Sequence, residues 1–273
     1  MKTIVIIVNY NGKKLLKNCL DSIKKNTIYK KYKVIVVDNG SSDGSQRIIK
    51  TKYKWVDLIK NKENLGFSKA NNIGAFYAFK KYSPKYLFLL NNDTLVKKNW
   101  LKSSIKILKN NKKVGIVGSS LFNKDNSKQK CAGWIHAFGV KYYFGNNLRK
   151  VSWVSGAAFL IRSNIFKKLK GFDEKYSPAY YEETDLEKRV EKLGLGIFFN
   201  PNSKIIHLGG ETAKKTFNNS ELFYIFYRNR ARYFIKHHGY LFFIPRILTD
   251  VLRAIKERKL KLLIKAYKKG VSR

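Results

Sequence analysis

Apolar runs alternate with stretches of helical spacing through the first half of the chain. Residues 4–8, 33–37, 55–59, 86–90 and 114–117 form short, nearly continuous apolar runs, the pattern of strands covered on both faces. Between them lie 15–25, 45–52, 68–80 and 101–109, where apolar residues recur every three or four positions. In the first of these, Leu16, Cys19, Leu20 and Ile23 share one helical face. Strands alternating with helices of this length predict βαβ units and an α/β, Rossmann-like, mainly parallel sheet flanked by helices. The opening run is too short for a signal peptide and lacks a small-residue cleavage site, so it reads as the first strand.

The second half is less regular. Residues 120–150 predict loops and short strands, punctuated by Gly133, Gly139 and Gly145. An apolar stretch over 151–161 surrounds Ser155-Gly156. Helices are expected at 164–169 and 184–193, and strands at 196–199 and 204–206. From Glu221 the chain is helical and amphipathic, with Phe223, Ile225, Phe226, Tyr233, Phe234 and Ile235 interleaved with Arg228, Arg230, Arg232 and Lys236. Residues 251–269 are also basic and amphipathic. No stretch of 18 apolar residues occurs, so no transmembrane helix is expected.

Composition narrows the function classes. A chain of 273 residues with 44% hydrophobic content can build a large core, as one large α/β domain or as a domain plus an appendage. Cys19 and Cys131 form no disulfide framework and read as core thiols in a reducing compartment. The formal charge of +39 implies an anionic partner (nucleic acid, a membrane surface or a phosphorylated substrate) or a lysine-rich compositional surface. The basic residues are spread along the chain, without the aromatic signature of an RNA-recognition sheet.

Against that charge, a few carboxylates at strand ends stand out. The run 86–90 closes in Asn91-Asn92-Asp93-Thr94, and 33–37 closes in Asp38 ahead of an Asn-Gly and Asp-Gly turn. Open α/β sheets bind ligands outside the carboxyl ends of their strands. Asp93 is there a hard oxygen ligand for Mg²⁺ or Mn²⁺ shared with a phosphate, or else a turn residue. Asp38 is placed to accept from a base or ribose, with Tyr10 to stack on the base, or again only to shape a turn. Asn64-Leu65-Gly66-Phe67-Ser68-Lys69 opens a helix whose N-terminus and Lys69 favour a phosphate, or simply a cap. In Glu182-Glu183-Thr184-Asp185 the reading is a general base at a pocket rim with Asp185 on the helix face, or carboxylates suited to a helix start. His207 is a nitrogen ligand beside a metal, or a structural histidine.

In chain order these residues resemble the family 2 glycosyltransferases, rhamnosyltransferase-like subgroup. The resemblance runs over about residues 3–210. It rests on Val8-Asn9-Tyr10-Asn11, Val36-Val37-Asp38-Asn39-Gly40-Ser41, Asn64-Leu65-Gly66-Phe67 and Leu89-Leu90-Asn91-Asn92-Asp93-Thr94. It continues through Trp153-Val154-Ser155-Gly156-Ala157, Gly171-Phe172-Asp173-Glu174, Glu182-Glu183-Thr184-Asp185-Leu186 and Ile206-His207.

The resemblance implies a GT-A fold over 1–215, with a nucleotide-binding half at about 1–118 and an acceptor half at about 119–215. A basic amphipathic helical tail follows at 216–273. It implies an inverting enzyme that moves a sugar from a nucleotide-diphosphate donor to a glycan or lipid-linked acceptor hydroxyl, assisted by Mg²⁺ or Mn²⁺. Asp38 would contact the donor base with Tyr10 near it, and Asn64, Lys69 and Asn91 would also bind substrate. Asp93 would hold the metal with His207, because Asn91 replaces the first aspartate of the family's Asp-x-Asp motif. Glu183 stands where the family has its base, one methylene longer than the usual Asp, so the catalytic base is Glu183 or a neighbouring acid, with Asp185 next in line. Trp153 would line the acceptor side. The tail suits an anionic membrane surface, for a cytoplasmic protein peripheral at the cytoplasmic face. No nucleic-acid partner is expected. The alternatives are a catalytically impaired glycan-binding relative and a basic nucleic-acid-binding protein.

Overall fold

Ile4, Val5, Ile6 and Ile7 are all fully buried, because their strand lies inside a sheet covered on both faces. The computed structural model describes residues 3–136, 139–209 and 216–272. The first half follows the alternation of its apolar runs: β1 (Thr3–Asn9), α1 (Lys13–Asn26), β2 (Tyr32–Asp38), α2 (Ser45–Lys52), β3 (Val56–Lys60), α3 (Gly66–Tyr82), β4 (Tyr86–Leu90), β5 (Thr94–Val96), α4 (Trp100–Asn110) and β6 (Val114–Phe122). The second half adds β7 (Ala132–His136), β8 (Gly139–Tyr142), β9 (Arg149–Val151), β10 (Trp153–Val154), β11 (Ala158–Arg162), α5 (Ser163–Lys168), α6 (Glu182–Glu191), β12 (Gly196–His207), α7 (Asn219–Lys256) and α8 (Leu260–Val271).

Among the described residues the main sheet runs β3-β2-β1-β4-β11-β6-β12-β5, with β9 added on β12. The β3-β2-β1-β4 half is parallel. Beyond it β11 runs antiparallel to both β4 and β6, and β12 is parallel to β6. The mainly parallel α/β sheet is therefore present, but mixed. A second sheet, β10-β7-β8, covers one end. Register decides what meets at the strand ends: Asn9 lies opposite Asp38, and Ile6 lies opposite Leu89.

Helix packing is close where side chains are small. A Cβ on Gly74 would lie 2.8 Å from Ile6 Cγ2 and 3.0 Å from Val37 Cγ2, so α3 sits directly on β1 and β2. On the sheet Phe88 packs edge-on to Trp100 at 4.6 Å between ring centres. The Trp100 indole donates to Thr27 Oγ1 at 3.0 Å, which satisfies its one polar group.

Three expectations are revised. The stretch 151–161 splits into β9, β10 and β11, because Ser155 and Gly156 turn the chain between sheets. The two strands expected at 196–199 and 204–206 are one strand, β12, whose register shifts between Asn200 and Lys204 where Pro201 interrupts the ladder. The aromatic positions of 223–235, read as a membrane-facing surface, are largely interior: Phe223, Ile225, Tyr233 and Phe234 are buried. They pack α7 against the 3₁₀ turn at Tyr176, against β7 and against α8. Helix α7 starts at a capping box, Asn218 with Glu221. The expected boundary after 215 falls beside residues 210–215, outside the described residues.

Candidate functional site

The carboxyl ends of β1, β4 and β12 open into one cleft of about 280 Å³. Its floor is a chain of amides. Asn92 Nδ2 donates to Asn9 Oδ1 at 2.8 Å, and Asn9 Nδ2 donates to Asp38 Oδ2 at 3.0 Å. Asp38 is fully buried, and its other oxygen accepts from Ser41 N at 3.0 Å and Gln46 Nε2 at 2.7 Å. The carboxylate thus ties the ends of β1 and β2 together and reaches the cleft through Asn9 and Asn92. Asn39, which does line the cleft, donates to Asn64 Oδ1 at 2.8 Å.

Asp93 and His207 meet at the other side of the β4 end. The antiparallel ladder of β5 and β12 places His207 opposite Thr94, so His207 Nε2 comes to 3.4 Å from Asp93 Oδ1. Gln129 sets the imidazole. Its amide N–H₂ donates to the His207 carbonyl at 2.7 Å and to Asn123 Oδ1 at 2.7 Å. Its oxygen therefore faces His207 Nδ1 at 3.0 Å as an acceptor. In the neutral imidazole Nδ1 then carries the proton and Nε2 turns a lone pair toward Asp93. Two acceptors held this far apart suit two ligands of one first-row cation, each bonding at about 2.1 Å. Among the described residues no group of three or more His, Cys, Asp or Glu is arranged to hold a metal ion. A cation here would need its remaining ligands from substrate oxygens and water, the usual arrangement for Mg²⁺ at phosphates.

The acidic end of the cleft belongs to α6. Tyr180 and Tyr181 both have left-handed backbone, with φ of 73° and 72°, a costly pair for aromatic residues. They turn the chain so that Glu182 and Glu183 enter the cleft in the first turn of α6. Burial pushes the Glu183 carboxyl above the usual range. The backbone N–H groups of Glu183, Thr184 and Gly156 and the Trp153 indole work against that rise. Burial, with the neighbouring Glu183 charge, pushes Glu182 up as well. A Cβ on Gly156 would lie 3.3 Å from Glu183 Cβ and Cγ, so that glycine lets the β10–β11 turn close on the carboxylate-bearing side chain. Asn229 of α7 holds the strained approach: its amide donates to the carbonyls of Tyr176, Ala179 and Tyr180 at 2.6, 2.8 and 3.0 Å. Gly66 (φ 79°) lets α3 begin against Ser177 and Pro178, where any Cβ would collide with Ser177 Oγ.

The expected residues divide cleanly. Tyr10, Asn64, Asn91, Asp93, Glu183 and His207 line the cleft together. Trp153, on β10, lies behind Glu183 and reaches it through the indole. Lys69 is exposed on α3 and does not line the cleft. Asp185 does not reach it either. It is fully buried and takes Arg189 Nε, Lys236 Nζ and His237 Nε2, each at 2.7 Å. The catalytic role read for Asp185 is revised to a structural one: it sits two residues after Glu183 on a helix, and so on another face. Gln129, Asn229 and Glu182 join the site beyond the residues expected from sequence. Gln129 and Asn229 act through fold-level contacts that no local pattern signals. Glu182 belongs to the acidic cluster, which is the local signal that could identify it.

The chain is similar to known proteins in sequence and in fold. The family model described as Glycosyl transferase family 2 matches residues 4–170. The chain is 28% identical over 223 residues to the rhamnosyltransferase WbbL of Escherichia coli K12, covering 74% of this chain and 82% of that protein. It is 26% identical over 235 residues to an N-acetylglucosaminyl-diphospho-decaprenol L-rhamnosyltransferase of Mycobacterium tuberculosis, covering 74% and 75%. Among solved structures, S. aureus TarS 1–349 in complex with UDP-GlcNAc aligns with TM-score 0.65 at 16% identity, over 100% of this chain and 82% of that one. A mannosyltransferase from Pyrobaculum calidifontis in complex with GDP-Man and Mn²⁺ aligns with TM-score 0.63 at 16% identity, over 97% and 73%. These structural likenesses establish the GT-A fold.

Proposed function

Because the chain belongs to the family 2 glycosyltransferases, we propose that it is an inverting transferase. On this reading it uses a nucleotide-diphosphate sugar and a lipid-linked or glycan hydroxyl acceptor. The observation that carries the reading is the presence in one cleft of Asp93 and His207, 3.4 Å apart, and of Glu183, whose carboxyl has raised proton affinity. Support for the donor comes from the nucleotide sugars bound by the two structural neighbours. Support for the acceptor class comes from the decaprenol-linked substrate named for the mycobacterial relative.

The roles follow from the chemistry. Asp38, through Asn9, and Tyr10 order the nucleotide end. Asp93 and His207 would hold Mg²⁺ or Mn²⁺, with Asn91 and Asn64 beside the diphosphate. A bound cation supplies positive charge against the phosphate charge that develops as the sugar leaves. Glu183 accepts the proton of the acceptor hydroxyl as that oxygen attacks the anomeric carbon from the face opposite the departing diphosphate. A carboxyl raised above its ordinary range is a stronger base than a solvated one, and general-base help is worth roughly 10²–10⁴-fold. Trp153 and Gly156 keep the Glu183 side chain in place.

The test is a screen of nucleotide sugars for transfer with Mn²⁺ or Mg²⁺, run on the wild type, Asp93→Ala and Glu183→Gln. The expected result is a loss of about 10²-fold or more in kcat for Glu183→Gln, with nucleotide still bound. Full turnover by Glu183→Gln would move the base elsewhere, and full turnover by Asp93→Ala would remove the metal role.

A further inference from the structure

The second half of α7 presents an apolar stripe that nothing in the described protein covers. Gly239 (φ 77°, ψ 175°) breaks the helix, and the turns after it carry Tyr240, Ile244, Leu248, Leu252 and Ile255. These sit at spacings of three and four residues, which place them along one helical face. Tyr240 is 62% exposed, Leu248 66% and Leu252 61%. Ile244 and Ile255 are exposed as well. No helix of the described residues is long and apolar enough to cross a membrane.

The other face of the same turns is bonded to the protein. Arg246 is buried, donates to the carbonyls of His136 and Gly139 and lies 4.3 Å over the Phe234 ring. Asp250 pairs with Arg230 at 2.7 Å and accepts from Tyr267. Phe243 and Ala254 are buried in the same direction. The stripe is therefore the outward face of a docked helix rather than a frayed end.

Charge identifies the occupant. Exposed Arg253 and Lys256 lie at the end of the turns that carry the stripe, and exposed Arg258 and Lys261 follow directly in the chain. A second copy would bring another +39 against these residues, and like charges at a shared face oppose association. An exposed apolar stripe that ends in Lys and Arg, on a chain of net charge +39, instead suits the interface of an anionic bilayer.

We propose that residues 240–255 are an in-plane docking face for an anionic lipid bilayer. Lys236 and His237, just ahead of Gly239, are both held by Asp185. Asp185 lies on α6, two residues from Glu183. The clamp keeps the docking face in a fixed relation to the cleft, so a bilayer-held acceptor meets Glu183 in a set orientation. Vesicle binding requires no turnover, so its failure is separable from failure of the reading of the cleft.

The experiment is flotation of the full chain with phosphatidylglycerol-containing vesicles and with pure phosphatidylcholine vesicles, at low and high salt. The wild type should float with the anionic vesicles at low salt and lose binding as salt rises. The triple variant Ile244→Ser/Leu248→Ser/Leu252→Ser should lose binding about tenfold or more. Lys256→Gln and Lys261→Gln should each weaken it about fivefold. All should melt with the wild type, because the replaced side chains are exposed. A wild type that stays unbound to anionic vesicles overturns the proposal, as does a triple variant that floats like the wild type. A wild-type dimer that the triple variant dissociates would assign the face to a second copy and also overturn it.

Discussion

Replacing Asp185 by Asn isolates the clamp between the catalytic helix and the tail. Asp185 is fully buried with Arg189, Lys236 and His237 each at 2.7 Å. Burial pushes its carboxyl up, but the His237 hydrogen bond and the Arg189 and Lys236 charges prevail and hold it below the usual carboxylate range. Burial holds His237 low in spite of that carboxylate, so the imidazole donates as a neutral group and the countercharges are Arg189 and Lys236. Removing one member of a buried ionic network costs about 3–5 kcal/mol, because the opposite charges stay desolvated. For a chain of this size that is a fall in Tm of about 6–20 °C. The pH dependence follows from the lowered native value. The wild type has the full contribution above about pH 4, where the unfolded carboxyl ionises, and loses it as pH falls toward the native value. Asn has nothing to lose there, so the gap between the two proteins should narrow below about pH 4. Thermal unfolding followed by circular dichroism across pH measures both quantities. A fall in Tm below about 2 °C at pH 7, or a gap that stays constant into acid, would refute the clamp. Sugar transfer at temperatures where the variant is folded gives a second reading. Because Asp185 does not line the cleft, kcat should stay within about tenfold, whereas loss of a general base removes about 10²-fold or more.

Three other perturbations probe the supports of the cleft. Asn229→Ala strands the carbonyls of Tyr176, Ala179 and Tyr180; the expected cost is about 2–4 kcal/mol, together with a raised KM for substrate, and an unchanged KM would separate Asn229 from the cleft. Gln129→Ala frees the His207 ring and should weaken Mn²⁺ binding about 10–100-fold, read by calorimetry; unchanged affinity would show that the imidazole is not a ligand set by Gln129. Glu187 is fully buried and accepts from Val154 N at 3.0 Å, and burial, then the Glu183 and Glu191 charges, push its carboxyl well up. The fold therefore takes up a proton there and loses stability as pH rises toward the raised native value. Glu187→Gln keeps an acceptor for Val154 and should flatten the decline in Tm as pH rises from about 4, where the unfolded carboxyl ionises, toward the raised native value; an identical decline in both proteins would place the ionisation elsewhere.

Alternation of apolar runs and helical faces was enough to place β1 through β4 with α1 through α4, because a strand buried on both faces and an amphipathic helix each write their period into local sequence. The sites at the strand ends were legible for the same reason: Asp38, Asn91 and Asp93 follow apolar runs that could only be inner strands. Strand β5 was invisible at three residues, and its pairing with β12 is what brings His207 to Asp93.

Tertiary structure alone decided which face of each element met which partner. Glu183 and Asp185 belong to one short acidic segment, yet α6 turns the first into the cleft and the second toward Lys236 and His237 of α7. In the tail, local periodicity marked two amphipathic helices but not which apolar residues would be covered. Phe223 and Phe234 are interior, while Leu248 and Leu252 face outward. Periodicity reports that a helix has an apolar side; only contacts between residues distant in the chain determine whether protein or another medium meets that side.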